Sequence, residues 1–232
     1  TQGQVVGFLG PSGVGKSTLF RILAGLETPK FGRVLLEASK EPVTPGQMGV
    51  VFQSYPLLKY YTVLDNLVVA GRCSGMMKQA AETHAMALLK EFELEDKADS
   101  YPKQLSGGQR QRVAIAQQLM CSGHFLLMDE PFSGLDPIMK DKACETIKKV
   151  AAKDEKNTII VVTHDISAAL AVSDTLWLLG RERDADGKII PGAYIKKTYD
   201  LIGLGLAWHQ NVTLTPEFGR VLAEIREDFR TL

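Results

Sequence analysis

The chain has 232 residues, which is enough to bury the core of one α/β domain. Its 27 basic and 27 acidic residues give a formal net charge of zero, so no overall positive field favours a nucleic-acid partner. Cys73, Cys121 and Cys144 are odd in number and lack C-x-x-C spacing, which indicates neither a disulfide framework nor a zinc site. We expect them to be buried free thiols in a reducing cytosol. No apolar run reaches the ~20 residues of a membrane span, and no signal peptide is visible.

An apolar, β-branched run near the start of the chain leads into a glycine-rich segment. Gly10, Gly15, Lys16 and Ser17 meet the pattern G-x-x-x-x-G-K-[ST]. Such glycines let successive backbone N–H groups face a phosphate, the lysine reaches the β- and γ-phosphates, and the hydroxyl ligates Mg²⁺. A helical pattern follows, as the motif requires. This segment predicts a nucleoside triphosphate site, against the alternative of a glycine-rich turn with an exposed lysine. The predicted contact residues are Gly10, Pro11, Ser12, Gly13, Val14, Gly15, Lys16, Ser17 and Thr18.

Strand and helix patterns alternate through most of the chain. Short or continuous apolar runs predict strands at 33–37, 48–52, 125–128, 158–162 and 175–179. Helical patterns cover 61–70 and 78–92, and a glycine-containing turn at 105–109 opens a helix through Leu119. Continuous apolar strands alternating with helices favour a parallel sheet covered on both faces. We therefore expect an α/β core of residues 1–53 and 123–180, with residues 54–122 inserted as a helical subdomain.

The last part of the chain, residues 181–232, is expected to form a hairpin and a helix. A turn is predicted at 184–187 and a return strand at 188–197. Thr215 and Pro216 have the character of an N-cap and a first helical residue. An apolar stripe on that helix should dock against the same domain. Its members are Phe218, Val221, Leu222, Ile225 and Phe229.

Two carboxylates end the apolar strand at 125–128. In a phosphate-loop protein, Asp129 at such a strand end can hold Mg²⁺ opposite the Ser17 hydroxyl. Glu130 beside it can then polarise the attacking water as a general base. The alternative is two solvated acids, one of which caps the next helix. Their occurrence with a phosphate loop favours the catalytic interpretation.

A second glycine-rich helix start lies at Leu105–Gln109. Its backbone N–H groups and the Ser106 hydroxyl could face an anion, although an ordinary capped helix is the simpler interpretation. The run Leu-Ser-Gly-Gly-Gln, followed by Arg110–Ala116, resembles the signature of ATP-binding cassette (ABC) ATPases. Other parts follow in that family's order. Gln53 resembles the Q-loop glutamine, Asp129 and Glu130 the Walker B aspartate and catalytic glutamate, Asp136 the D-loop aspartate, and His164 the switch histidine.

The resemblance implies a phosphate-loop NTPase fold: a mostly parallel sheet flanked by helices, with the helical subdomain inserted. It also implies ATP hydrolysis with Mg²⁺. Two cassettes would meet head to tail, each ATP lying between one chain's phosphate loop and Ser106, Gly107, Gly108 and Gln109 of the other. Glu130, His164 and Gln53 would be catalytic, and Ser17, Gln53 and Asp129 would contact the metal. Closure on ATP and opening after hydrolysis would be the output.

Relatives in that family carry an antiparallel β-subdomain before the phosphate strand, including an aromatic residue that stacks on adenine. Here nine residues precede Gly10, so we expect that subdomain to be missing through truncation.

Neither very long coiled coils nor a tandem cassette occurs, which favours the subunit of a membrane transporter whose permease chains are separate. The apolar and aromatic segment 54–61 is the expected permease contact, although packing within the subdomain is an alternative. We expect a cytoplasmic protein on the inner face of the membrane. The alternative function is a soluble ATP-dependent switch.

Overall fold

The computed structural model describes residues 3–36, 41–182, 184, 186, 188–209, 211–230 and 232. These residues form a six-stranded sheet flanked by α-helices. The strands are β1 (Val5–Leu9), β2 (Gly49–Val51), β3 (Phe125–Asp129), β4 (Thr158–Thr163), β5 (Thr175–Gly180) and β6 (Tyr194–Asp200). The helices are α1 (Lys16–Leu23), α2 (Val63–Cys73), α3 (Lys78–Glu91), α4 (Gly107–Leu119), α5 (Pro137–Ala152), α6 (Ile166–Val172) and α7 (Pro216–Arg230).

The sheet has the strand order β2–β3–β4–β1–β5–β6, and β6 alone of these six strands runs antiparallel to its neighbour. Helices cover both faces, as alternate residues of β3 show. Leu126 and Met128 join the apolar cluster that contains Ile147 of α5. Leu127 instead joins the cluster that contains Phe20 of α1. Burial on both faces explains why these strands are continuous apolar runs, and the predicted mostly parallel sheet is confirmed.

The carboxyl ends of the central strands meet at one edge of the sheet. Leu9 at the end of β1 is in register with Thr163 at the end of β4, and Asp129 of β3 pairs with Val162 of β4. The segments that follow these strands therefore emerge side by side. In an open parallel sheet this edge is where ligands bind.

Helices α2, α3 and α4 stand between β2 and β3 in the chain and pack on one another. Leu67, Leu89 and Ile115, one from each helix, are buried in one apolar cluster. The buried Asn66 side chain bonds both the N–H and the carbonyl of Leu58, which fixes the segment that leads into α2. Within the described ranges, no helix is both long enough and apolar enough to span a bilayer.

The end of the chain completes the outer part of the sheet. Phe218, Val221 and Ile225 of α7 are buried in the same apolar cluster as Leu176 and Leu178 of β5, so the predicted docking of the apolar stripe is confirmed. The Thr215 hydroxyl accepts the Phe218 N–H at 3.2 Å, as expected for a cap.

Several predicted element bounds are wrong in detail. Among residues 33–36, the strand expected at 33–37 is reduced to an isolated bridge from Leu35 to Pro42. Proline has no N–H that could extend the ladder at this point. The return strand begins at Tyr194 rather than at 188, since Pro191 and Gly192 interrupt the ladder. The turn expected at 184–187 includes residues 185 and 187, which lie outside the described ranges. The division into core, helical subdomain and extension stays a prediction.

The cysteines also differ from expectation. Cys73 and Cys121 are exposed, and Cys144 is half-buried. Cys73 is the last residue of α2, and Cys121 follows the end of α4, so both stand where a helix reaches the surface. Burial of the Cys144 thiol raises its pKa to about 12, which keeps it protonated and unreactive.

Candidate active site

The phosphate loop joins β1 to α1. Gly13 and Gly15 have φ values of 79° and 113°, a region that residues with a Cβ rarely adopt, so the sequence needs glycine at both positions. Gly15 is the N-cap of α1, and no side chain caps the helix. The first N–H groups of α1 are therefore available to an anion, which the dipole of the helix also favours.

Lys16 lies at the start of α1 with only 7% of its surface exposed. Its Nζ donates to the carbonyl oxygens of Gly10 at 2.8 Å and Pro11 at 3.1 Å. Burial lowers the pKa of Lys16, while the charges of Glu130 and Asp129 act in the opposite direction. The positively charged ammonium group therefore lies within the phosphate loop, where a bound phosphate would neutralise its charge.

Glu130 is the best-anchored acid of the site. Its Oε2 accepts a hydrogen bond from the Thr163 hydroxyl at 2.9 Å, and its Oε1 lies 2.8 Å from His164 Nδ1. The same Oε1 lies 3.9 Å from Lys16 Nζ. The structure therefore brings three sequence-predicted elements together: the phosphate-loop lysine, the acid after β3 and the histidine after β4.

The backbone of Glu130 is also unusual. Its φ is 49°, in the left-handed region that is costly for a residue with a long side chain. Its N–H still donates to the Val162 carbonyl of β4 at 2.8 Å, which continues the ladder by one residue. Such strain at a side chain that faces a glycine-rich loop is typical of functional sites.

Asp129 and Ser17 supply the oxygen atoms that Mg²⁺ prefers. Burial, and next the charge of Glu130, raise the pKa of Asp129, whereas Lys16 and Arg21 act in the opposite direction. A cation at this carboxylate would offset the cost of burying its negative charge. Asp129 and Ser17 therefore fit Mg²⁺. No group of three or more His, Cys, Asp or Glu side chains within the described ranges could hold a metal, so the ion would depend on phosphate oxygens as well.

Gln53 and Asp136 occupy the ends of elements near this edge. Gln53 follows β2, and its Nε2 donates a hydrogen bond to the Ser133 hydroxyl at 3.1 Å. Ser133 lies two residues after Pro131, which itself follows Glu130. Asp136 is the N-cap of α5 and accepts the Met139 N–H at 3.0 Å. Both side chains are exposed. Asp136 therefore caps α5, and its D-loop role stays a prediction.

The Leu105–Gln109 segment opens α4 through a reciprocal cap. The Ser106 hydroxyl accepts the Gln109 N–H at 3.3 Å, and Gln109 Oε1 accepts the Ser106 N–H at 2.9 Å. A Cβ on Gly108 would lie 1.9 Å from Met139 Cε of α5, so this glycine permits close helix packing. Gly107 faces open space. No hydrogen bond or ion pair of the described residues joins this segment to the phosphate loop.

Three further residues, Tyr55, Gln111 and Thr163, hold the site in place. Nothing at these single positions of the sequence indicates that role. The carbonyl of Pro131 accepts hydrogen bonds from Tyr55 Oη at 3.0 Å and Gln111 Nε2 at 2.8 Å. Burial raises the pKa of Tyr55 to about 12, so its hydroxyl stays protonated and can donate. Through these bonds the segment after Gln53 and helix α4 are both tied to the residue that follows Glu130. Thr163, the third of these residues, orients Glu130 directly.

The fold and this loop define the class: a phosphate-loop nucleotide-binding protein with its site at the carboxyl edge of a parallel sheet. A family model described as ABC transporter matches residues 1–133, more than half of the chain. The chain belongs to this family and is an ABC ATPase nucleotide-binding subunit. The predicted family and fold are therefore confirmed.

Related proteins agree with this assignment. The chain is 41% identical over 191 residues to the probable sulfate/thiosulfate import ATP-binding protein CysA of Chlorella vulgaris, covering 81% of this chain and 78% of that one. It is 42% identical over 181 residues to the sulfate/thiosulfate import ATP-binding protein CysA of Synechococcus elongatus, covering 76% of this chain and 52% of that one. The second of these relatives is thus about twice as long as the matched region.

Solved structures show the same fold. A dimeric post-hydrolysis state of the ATP-binding cassette MJ0796, bound to ADP and Pi, has a TM-score of 0.70 at 31% identity and covers 87% of each chain. The cbiO1 protein of Clostridium perfringens, part of the ABC transporter complex cbiONQ, has a TM-score of 0.73 at 25% identity and covers 97% of this chain and 88% of that one.

Proposed function

We propose that this chain binds ATP at residues 10–18 and hydrolyses it as the energy-coupling subunit of a membrane transporter. The observation that carries the proposal is the position of Glu130, held by Thr163 and His164 within 3.9 Å of Lys16 Nζ. A carboxylate so placed can orient and deprotonate a water molecule beside the phosphate that Lys16 binds.

Each residue has a defined part in this proposal. Lys16 and the first N–H groups of α1 neutralise the β- and γ-phosphates. Ser17, Asp129 and Gln53 would hold Mg²⁺, which would supply further charge neutralisation at the phosphates. Glu130 is the general base, and His164, with its ring 55% exposed, is free to contact the γ-phosphate. Because phosphoryl transfer depends on positioning and electrostatics, these residues can supply this chain's share of the chemistry.

The working unit in this proposal is a head-to-tail dimer. Ser106 and Gly107 are exposed at the N-terminus of α4, where N–H groups and a hydroxyl are presented to solvent. Their own chain's phosphate loop makes no hydrogen bond to them within the described residues. A second subunit would place its ATP against this segment, and the dimeric state of the MJ0796 cassette, bound to ADP and Pi, supports a dimer as the working unit.

The concentration dependence of ATP turnover tests the dimer. We expect the specific Mg-ATPase rate to rise with protein concentration and then level off, because only the dimer has complete sites. The measurement is phosphate release at protein concentrations spanning about three orders of magnitude. A specific rate that stays constant over this range, for a protein that sedimentation shows to be monomeric, would contradict the proposal.

Segment 54–61 is the proposed contact for a separate permease chain. Tyr60 is 80% exposed and Leu58 is also exposed, whereas Leu57 packs partly against the core. The bonds from Asn66 to Leu58 hold the segment in a fixed shape, which suits a docking surface. The import names of the relatives support a membrane partner and a place on the inner face of the membrane.

The substitution Tyr60→Glu tests this contact better than a change at half-buried Leu57. We expect it to abolish co-purification with the membrane fraction, because a charge would enter an apolar interface, while ATPase of the isolated subunit stays unchanged. Phe31→Glu is the control, since Phe31 is 85% exposed and lies outside the segment. Recovery of both variants at the wild-type level would contradict the contact. Absence of the wild type itself from the membrane fraction would favour a soluble ATP-dependent switch.

A further inference from the structure

Arg181 lies immediately after β5, beside the phosphate loop. Because β5 pairs with β1 in parallel, their carboxyl ends emerge together, and Leu9 is in register with Leu178. Arg181 Nη2 donates a hydrogen bond to the carbonyl oxygen of Gly13. The hairpin that Arg181 begins also returns past the loop, since a Cβ on Gly15 would lie 3.9 Å from Ala193 Cβ.

The bonding of this guanidinium is incomplete. Its Nε is buried and has no hydrogen-bond partner in the described part of the chain. Its contact is a neutral carbonyl, and no ion pair among the described residues joins it to a carboxylate. A guanidinium offers five N–H donors arranged for bidentate binding of an anion, so a carbonyl uses only part of its capacity. Lys16 Nζ likewise rests on carbonyl oxygens of this loop.

We propose that Arg181 is a second cationic nucleotide-binding residue, which exchanges the Gly13 carbonyl for the phosphate chain of the bound nucleotide. This inference rests on the proposed ATP site. Arg181 approaches the loop from the β5 side, whereas Glu130 and His164 approach from the side of β3 and β4. The contact therefore falls on the phosphates away from the site of hydrolysis and stabilises the ground state and the transition state equally.

Calorimetric titration with ADP and with ATPγS tests the assignment. We expect Arg181→Ala to weaken the binding of both nucleotides by about tenfold, because a charge-assisted contact to phosphate is lost. Arg226→Ala is the matched control, since Arg226 is an exposed arginine on α7. In steady-state assays Arg181→Ala should raise KM by a similar factor and leave kcat unchanged. Arg181→Lys should recover part of the affinity, because lysine keeps the positive charge but lacks the planar guanidinium that binds an anion through two N–H groups.

Salt and pyrophosphate separate this role from a structural one. The affinity difference between wild type and Arg181→Ala should shrink as salt rises from about 0.05 to 0.5 M, and the same difference should appear when pyrophosphate is the competing ligand. Affinities of Arg181→Ala and Arg226→Ala within twofold of each other would overturn the inference but leave the ATP site intact. A tenfold loss that is independent of salt and absent for pyrophosphate would also overturn it. If the wild type bound neither nucleotide, both the inference and the proposed function would fall.

Discussion

Replacing Glu130 with glutamine is expected to lower the ATP turnover number by about 10²- to 10⁴-fold while nucleotide binding is retained. Glutamine has the same shape and can still accept the hydrogen bond from the Thr163 hydroxyl, but it cannot take a proton from water. Lys16 would also lose the carboxylate oxygen that lies 3.9 Å from its Nζ. Because the chemical step stops after ATP is bound, the variant should accumulate as an ATP-bound dimer. Single-turnover hydrolysis and size-exclusion chromatography with and without ATP measure the two effects.

Glu93→Gln is the matched control for this prediction. Glu93 has a φ of 57°, close to that of Glu130, but it is exposed and lies after α3, away from the site. Turnover of Glu93→Gln should equal that of the wild type, so that any loss in Glu130→Gln reflects the side chain's position and not its backbone conformation. Turnover of Glu130→Gln within tenfold of the wild type would show that another group activates the water.

Lys16→Ala is expected to remove ATP binding at concentrations that saturate the wild type. Lys16 begins α1 directly after Gly15. Its ammonium group turns back into the loop where we propose that the phosphates bind. Alanine leaves the carbonyl oxygens of Gly10 and Pro11 without their donor and removes the positive charge from the loop. We expect affinity to fall by about 100-fold or more, since a buried charged contact is lost. Calorimetric titration with ADP measures the change.

Thermal unfolding and a second lysine variant complete that experiment. Lys156→Ala, at an exposed position before β4, should bind ADP like the wild type. Lys16→Ala should remain folded at the assay temperature, because alanine is a good helix residue at the start of α1, although the Gly10 and Pro11 carbonyls lose their donor. Wild-type affinity in folded Lys16→Ala would show that the nucleotide binds elsewhere.

The sequence predicts much of this fold because the signals are local. A short glycine-rich motif specifies the loop between β1 and α1, and continuous apolar runs identify the buried parallel strands. Ser106 and Gln109 form the reciprocal cap that their spacing favours. The bounds of β6 were harder, since a hairpin with Pro191 and Gly192 gives no clear start for its second strand.

What could not be predicted depends on contacts between distant residues. Tyr55 and Pro131 are 76 positions apart, and no local pattern indicates that they share a hydrogen bond. The left-handed backbone of Glu130 is not indicated by its residue type, since glutamate rarely adopts a positive φ. Exposure of Cys73 and Cys121 follows from where α2 and α4 end on the surface, which composition does not show. Arg181 reaches Gly13 only because β5 pairs with β1.

The head-to-tail arrangement is the central proposal, and a mixture of two inactive variants tests it most directly. Lys16→Ala disables the phosphate loop, and Gly107→Glu places a bulky negative group where the partner's phosphate would lie. A Cβ at Gly107 meets no atom within 4 Å, so this change should not disturb its own chain.

Each variant alone should be inactive, because every site in its homodimer contains one defective part. When equal amounts are mixed, about half of the dimers combine both variants, and each of these has one intact site of two. We therefore predict recovery of about a quarter of the wild-type ATPase rate in the mixture. A mixture that stays inactive although both variants are shown to dimerise, or full activity of Gly107→Glu alone, would contradict the head-to-tail dimer.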